Sequence, residues 1–286
     1  MLTIQNLNLD VKHKQILNDI TINFEQGYVY GIIGPNGVGK STLFKSILGI
    51  TRYRGKVSID DKPVKDAEIG KLIEYPNFYK KLTVAQNLQL YAKYINVADS
   101  AVSRVLKQVN LIYARNKPFD DLSLGMKQRL GIARALMGND RILLLDEPQN
   151  GLDPLGIKSV RDLLNDPCIR KNKVTLLASH NLNEVGKIVD KIVFINNGQL
   201  VCQINNQTDS NYYVYKRPNK ISIPEQLHWK VSKIEGSQYL LSTLDNSQMI
   251  KVFPELKQNY FGNITNLEKL FDFVITGEVD DNVNID

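Results

Sequence analysis

The chain has 286 residues, 43% hydrophobic and 23% charged, a soluble globular composition long enough for one large α/β unit and a small appendage. Its net charge of +6 is uneven: residues 1–204 carry 28 Lys and Arg against 19 Asp and Glu, a net +9, and residues 205–286 carry 8 against 11, a net −3. No apolar run approaches the ~18–20 residues that span a bilayer, Met1-Leu2-Thr3-Ile4-Gln5 leads straight into a strand pattern rather than a signal peptide, and the basic residues are scattered, which suits nucleotides or an anionic membrane surface better than a nucleic-acid stripe. Cys168 and Cys202 stand far apart in no metal spacing and read as free thiols of a reducing cytoplasm.

In chain order, residues 2–9 and 20–24 alternate apolar and polar as half-buried strands do, and Gly27 marks a turn. An apolar strand, Tyr28-Val29-Tyr30-Gly31-Ile32-Ile33, feeds Gly34-Pro35-Asn36-Gly37-Val38-Gly39-Lys40-Ser41-Thr42, and a helix-like run, Leu43 to Leu48, follows. This is G-x-x-x-x-G-K-[ST] in the strand–loop–helix setting that gives the motif meaning. Glycines let backbone N–H groups converge on phosphate oxygens, and the helix start adds partial positive charge. Lys40 is spaced to reach the β- and γ-phosphates, and the Ser41 hydroxyl to ligate Mg²⁺. A glycine-rich turn that binds nothing is the plain alternative, and the flanking strand and helix argue against it.

Gly55 to Asp61 reads as a hairpin with Asp60-Asp61 at its turn. From about residue 82 to 112 the pattern turns helical, with Thr83 as N-cap of one helix and Ser100 to Val109 as another. Asp121 to Leu130 opens a helix that runs to Leu136. Arg141-Ile142-Leu143-Leu144-Leu145-Asp146-Glu147-Pro148 and Gly151-Leu152-Asp153-Pro154 follow, and Val174 to Ala178 ends in Ser179-His180. The runs at 142–145 and 174–178 are continuously apolar, as in a parallel sheet buried on both faces. Asn205 to Asn211 is polar and linker-like; beyond it we expect strands near 212–216, 229–235 and 238–244, a helix at Leu267 to Val274, and an acidic, frayed end from Val279.

With Leu122 to Leu130 read beside the phosphate loop and Asp146-Glu147-Pro148, the chain resembles the ATP-binding subunit of an ABC transporter over residues 1–204. Ser123-Leu124-Gly125-Met126-Lys127-Gln128-Arg129, Leu72-Ile73-Glu74-Tyr75-Pro76 and Asn266 to Phe271 are most similar to the bacitracin and lantibiotic transporter type. The resemblance implies a P-loop ABC-type α/β fold. That fold has a parallel core sheet, an antiparallel β subdomain and an inserted helical subdomain at about 70–135, here with an α+β appendage over 205–286. It also implies an ATPase that forms a homodimer head to tail around two Mg-ATP. Such a dimer would sit in the cytoplasm against a separate polytopic membrane permease and export amphipathic peptides or hydrophobic compounds.

Asp146, at the C-terminal end of an apolar strand, can hold the Mg²⁺ shell, and Glu147 beside it is the group to polarise the attacking water. An acidic pair capping a strand is the bland reading of those two. By the resemblance, His180 contacts the γ-phosphate and the water. Ser123 and Gly125 of one subunit close on ATP held by the other, with Asp153 across the same interface; Ser123 as a plain N-cap is compatible with that.

Three positions depart from the family pattern. Glu74 stands where Gln is usual, so a carboxylate there could bind Mg²⁺ directly or lie at the surface. Leu124 and Met126 replace the common Gly and Gln. Val11, in Asp10-Val11-Lys12-His13-Lys14, occupies the slot where an aromatic stacks adenine at a gain of roughly 1 kcal/mol. That leaves the choice between ATP and GTP open, with His13 a possible substitute. The other function class is a non-transport ABC ATPase on ribosomes or DNA, disfavoured by the single phosphate loop and the absence of sustained heptads; a dead binding module is disfavoured by the intact site residues.

Overall fold

The computed structural model describes residues 1–64, 69–74, 77–206, 212–216, 229–234, 237–242, 246–264 and 266–276. The elements in order are β1 (Leu2–Val11), β2 (Lys14–Phe24), β3 (Val29–Ile33), α1 (Lys40–Ile47), β4 (Arg54–Ile59), β5 (Lys62–Pro63), β6 (Ile69–Leu72), α2 (Val84–Tyr94), α3 (Ser100–Gln108) and α4 (Leu124–Ala135). There follow β7 (Ile142–Asp146), α5 (Pro154–Asn165), α6 (Pro167–Arg170), β8 (Val174–Ala178), α7 (Leu182–Val185), β9 (Lys191–Asn196) and β10 (Gln199–Asn205). The last described elements are β11 (Tyr212–Lys216), β12 (Trp229–Ile234), β13 (Ser237–Ser242), α8 (Asn246–Val252), β14 (Tyr260–Ile264) and α9 (Leu267–Thr276).

Among the described residues the core sheet has the order β10-β9-β3-β8-β7-β6. The pairs β9–β3, β3–β8, β8–β7 and β7–β6 are parallel, and β10 returns antiparallel at the edge. Every residue of β3 and β8 is buried, as the continuous apolar runs require when both faces are covered. One face packs on α1 and an antiparallel sheet of order β2-β1-β4-β5; the other packs on the helices α2 to α5 and on α9. Because β3, β7 and β8 are neighbours, their C-terminal loops meet at one edge, where α/β sheets place their ligands.

β1 and β2 run past the alternating segments because bulges break the period of two: the register shifts between Ile4 and Leu7 and again before Asp10. They meet in a two-residue turn at Lys12 (φ 47°) and His13 (φ 65°), with Val11 paired to Lys14, the twist that a primed hairpin turn supplies. The hairpin at 54–63 turns at Asp60-Asp61 as expected. Thr83 caps α2 in a full capping box with Gln86. A third sheet, β12-β13-β11-β14, lies in the C-terminal stretch, and α9 buries Leu270, Phe273 and Val274 in the core that also holds Val185, Ile188 and Phe194. Residues 207–211, 235, 243–244 and 279–286, on which part of the linker, strand and frayed-end expectations fall, lie outside the described residues. Both cysteines are free thiols, Cys168 exposed and Cys202 buried. No helix among the described residues is long and apolar enough to cross a membrane.

Asp140, just before β7, is nine-tenths buried, and its Oδ2 has no hydrogen-bond partner. Burial pushes its carboxyl up to about 6, against the pull of Lys173 and Lys71. The folded value lies above the unfolded one, so the native state takes the proton first and the penalty of the buried charge is relieved as pH falls through 6. Relative to Asp140→Asn, the parent chain should therefore gain about 2 kcal/mol of stability between pH 7.5 and pH 4.5. Urea unfolding of both at the two pH values checks this, and a pH-independent difference contradicts it.

Candidate functional site

The loop between β3 and α1 is shaped by its glycines. Gly39 sits at φ 112°, and a Cβ on Gly34 would fall 2.2 Å from the Ile195 carbonyl oxygen. α1 starts at Lys40 rather than at the apolar run, so Lys40 and Ser41 form its first turn, where N–H groups are free. The Lys40 ammonium donates to the carbonyls of Gly34 (2.6 Å) and Pro35 (3.0 Å), and Val38 N–H donates to Pro35.

A cavity of about 570 Å³ opens over this loop. Asn36, Gly37, Gly39, Lys40, Ser41 and Thr42 line one side, with Glu74, Asp146 and Glu147 opposite. Burial raises the Asp146 carboxyl and Glu147 raises it further, while a hydrogen bond from Ser41 and the nearby Lys40 pull it down. Burial also lowers the Lys40 ammonium, against the pull of Glu147 and Asp146. In the cavity the Lys40 ammonium thus faces two half-buried carboxylates, with Glu74 a third on the wall.

Glu147 holds a left-handed φ of 49°, a conformation that costs a β-carbon-bearing residue roughly 1 kcal/mol. The backbone fixes it there: its N–H donates to Ala178 O on β8 (2.8 Å), and its carbonyl accepts from Gln128 Nε2 on α4 (3.0 Å). Ser179 Oγ donates to one carboxylate oxygen at 3.1 Å, and His180 Nδ1 lies 2.8 Å from the other. A carboxylate has no proton to give, so Nδ1 is the donor in that pair. His180 does not line the cavity itself; it reaches the site through Glu147.

The structure distributes the remaining expected residues. Ser123 caps α4, accepting from Met126 N–H at 3.3 Å. Asp153 caps α5 through Gly156 N–H (2.9 Å) and pairs with Arg129 (3.3 Å). Gly125 packs beside Gly151, where a Cβ would meet the carbonyl at 3.1 Å. Within one chain Ser123, Gly125 and Asp153 stand outside the cavity lining. Val11 is exposed at the tip of the β1–β2 hairpin, also outside it. Glu74 lines the cavity and its carboxylate is bonded to Lys45 at 2.6 Å, which holds it below the usual carboxylate range. Tyr75 lies outside the described residues.

Leu124, one of the departures from the family pattern, and Gly151 also line the cavity, and so do Gln128 and Asn150, for which no role was expected. Gln128 carried a readable signal: it is the polar member of an otherwise apolar buried stripe on α4. Ser179 carried a weaker one, a hydroxyl ending a buried strand.

A family model described as ABC transporter matches residues 17–150. An uncharacterized ABC transporter ATP-binding protein of Bacillus subtilis, YdbJ, is 32% identical over 283 residues, covering 93% of this chain and 89% of the relative. The lantibiotic transport ATP-binding protein SrtF of Streptococcus pyogenes is 36% identical over 207 residues, 71% of this chain and 90% of the relative. A solved structure of an ATP-binding subunit of an ABC transporter matches with a TM-score of 0.66 and 26% identity, covering 72% of this chain and 90% of that one.

Proposed function

This chain belongs to the family of ABC transporter ATP-binding subunits, which bind and hydrolyse ATP, and from that membership we propose that two copies close head to tail on two Mg-ATP and drive a separate membrane permease. The observation that carries the chemistry is the convergence of Lys40, Ser41, Asp146 and Glu147 on one cavity. Lys40 and the loop amides would neutralise the γ-phosphate, and Glu147 would orient the attacking water and take its proton. Ser179 and His180 hold the Glu147 carboxylate by both oxygens, which fixes its direction. Ser41 and Asp146 fit Mg²⁺: they are oxygen donors already bonded to each other, and no group of three or more His, Cys, Asp or Glu among the described residues could hold a metal unaided. A magnesium site completed by substrate phosphates needs only such a pair. When bound, the ion would offset the charge of the β- and γ-phosphates. Glu74 is a third oxygen donor for that shell, in competition with Lys45.

The dimer reading draws support from the cavity's open side. Leu124 and Leu155 stand exposed at the starts of α4 and α5, near the capped turns of Ser123 and Asp153. A second copy would cover them and bring its Ser123 and Gly125 amides to this copy's phosphates. Residues 1–204 would form the ATPase unit, with the helical block at 70–135 facing the permease, and 205–286 an appendage packed on it through α9. The chain would then sit on the inner face of the cell membrane. Export of amphipathic, antimicrobial-type peptides is proposed from the lantibiotic transport relative.

The test is a pull-down with tagged Glu147→Gln, held in Mg-ATP, from detergent-solubilised membranes of the native host. A polytopic membrane protein recovered in stoichiometric amount is the expected result. Recovery of ribosomes or DNA-bound proteins without one would overturn the transport reading and leave the ATPase standing.

A further inference from the structure

A chain of contacts leads from Glu147 to the C-terminal elements. Ser179 Oγ, which bonds Glu147, accepts from Asn181 N–H at 3.2 Å, and Asn181 Oδ1 in turn caps α7 through Glu184 N–H at 3.2 Å. His180 is the residue between them. α7 is a single turn, too short to hold its own position. Val185 seats it in the main core beside Gly31, and further supports come from beyond β10. Asn206 Nδ2 donates to the carbonyls of Gly186 and Val189, each at 2.7 Å, at the C-terminal end of α7. Asn183 Nδ2 donates to Glu268 Oε1 in the first turn of α9 at 2.8 Å. Gly186 lies so close to α9 that a Cβ there would be 3.3 Å from Leu267 Cδ2. α9 itself is anchored in the main core by Leu270, Phe273 and Val274.

We propose that Asn206 and α9, through Glu268, position His180 against Glu147, so that the segment after residue 205 sets the rate of hydrolysis by way of α7. The proposal rests on the reading of Glu147 and His180 given above. Asn206 and Glu268 are positioning residues; neither touches the cavity. A movement of α9 relative to β9, where Ile275 O accepts from Asn196 Nδ2 at 3.2 Å, would be felt at His180.

The experiment measures steady-state ATP hydrolysis and thermal unfolding of full-length Glu268→Ala, Glu268→Gln and Asn206→Ala, alone and combined with His180→Ala. Glu268→Ala should lower kcat about fivefold, the rate equivalent of one hydrogen bond, with KM for ATP changed less than about twofold. Glu268→Gln should keep the parent kcat, because its side-chain carbonyl still accepts from Asn183. On a His180→Ala background Glu268→Ala should add nothing, because its effect runs through that histidine. An equal loss on that background, or an equal loss in Glu268→Gln, overturns the proposal. So does parental kcat in Glu268→Ala while Glu147→Gln and His180→Ala are slow, in which case the site reading survives. Parental rates in those two variants as well would take down the site reading together with the proposal. Glu268 is a surface residue, so its variants decide the matter even where Asn206→Ala fails to fold.

Discussion

Glu147→Gln is expected to slow ATP hydrolysis by at least about a hundredfold while leaving ATP bound at near-parental affinity. The change is nearly isosteric. The amide keeps one oxygen to accept from His180 or Ser179 but cannot take a proton from water. Its N–H₂ can face Ser179 Oγ, whose hydroxyl turns from donor to acceptor, while the remaining oxygen still accepts from His180 Nδ1. The backbone bonds to Ala178 and Gln128 do not involve the side chain, so the left-handed turn after β7 stays in place. Phosphate release measured against a fluorescent-nucleotide binding curve separates the two effects. A hydrolysis rate near that of the parent chain would mean that Glu147 is not the base.

Lys40→Ala should act on binding itself. The ammonium is buried, and it is the cation that meets Asp146 and Glu147 inside the cavity. Without it, phosphates would enter a pocket lined by three carboxylates, of which only Glu74 is paired with a lysine. Charge-assisted hydrogen bonds contribute roughly 1.5–3 kcal/mol, so ATP affinity should fall about tenfold to a hundredfold and hydrolysis should drop below detection. Lys40→Arg should restore little, because a planar fork does not fit a site built around a compact ammonium held between two loop carbonyls. Isothermal calorimetry with Mg-ATP reads the affinity. An unchanged affinity in Lys40→Ala would detach the loop from phosphate binding.

Much of this was legible in the residues because local chemistry dominates there. The phosphate loop needs its glycines in one order, and the strands that carry Asp146 and His180 are buried on both faces, so their apolar runs leave few alternatives. The capped starts of α2 and α4 followed from Thr83 and Ser123. What escaped depends on chain segments meeting in space. The bulges of β1 scrambled its alternation, so the hairpin at Lys12-His13 could not be read as one. Gln128 reaches the Glu147 carbonyl across nineteen residues, and Ser179 reaches its carboxylate across thirty-two, separations at which spacing carries no signal. The Arg129–Asp153 pair and the Lys45–Glu74 pair escaped for the same reason, and the second changes what Glu74 can offer. The grip of Asn206 and Glu268 on α7 joins elements whose sequences look independent.

In the proposed dimer ATP joins two copies head to tail, each closing the other's cavity with Ser123 and Gly125. The most direct measurement is the mass in solution of purified Glu147→Gln, by sedimentation velocity, with and without Mg-ATP, alongside the same protein carrying Ser123→Arg. The expected result is a monomer without nucleotide, a dimer with Mg-ATP, and a monomer under both conditions once Ser123 is replaced. A monomer in saturating Mg-ATP, with nucleotide demonstrably bound, would contradict it, as would a dimer indifferent to both nucleotide and Ser123.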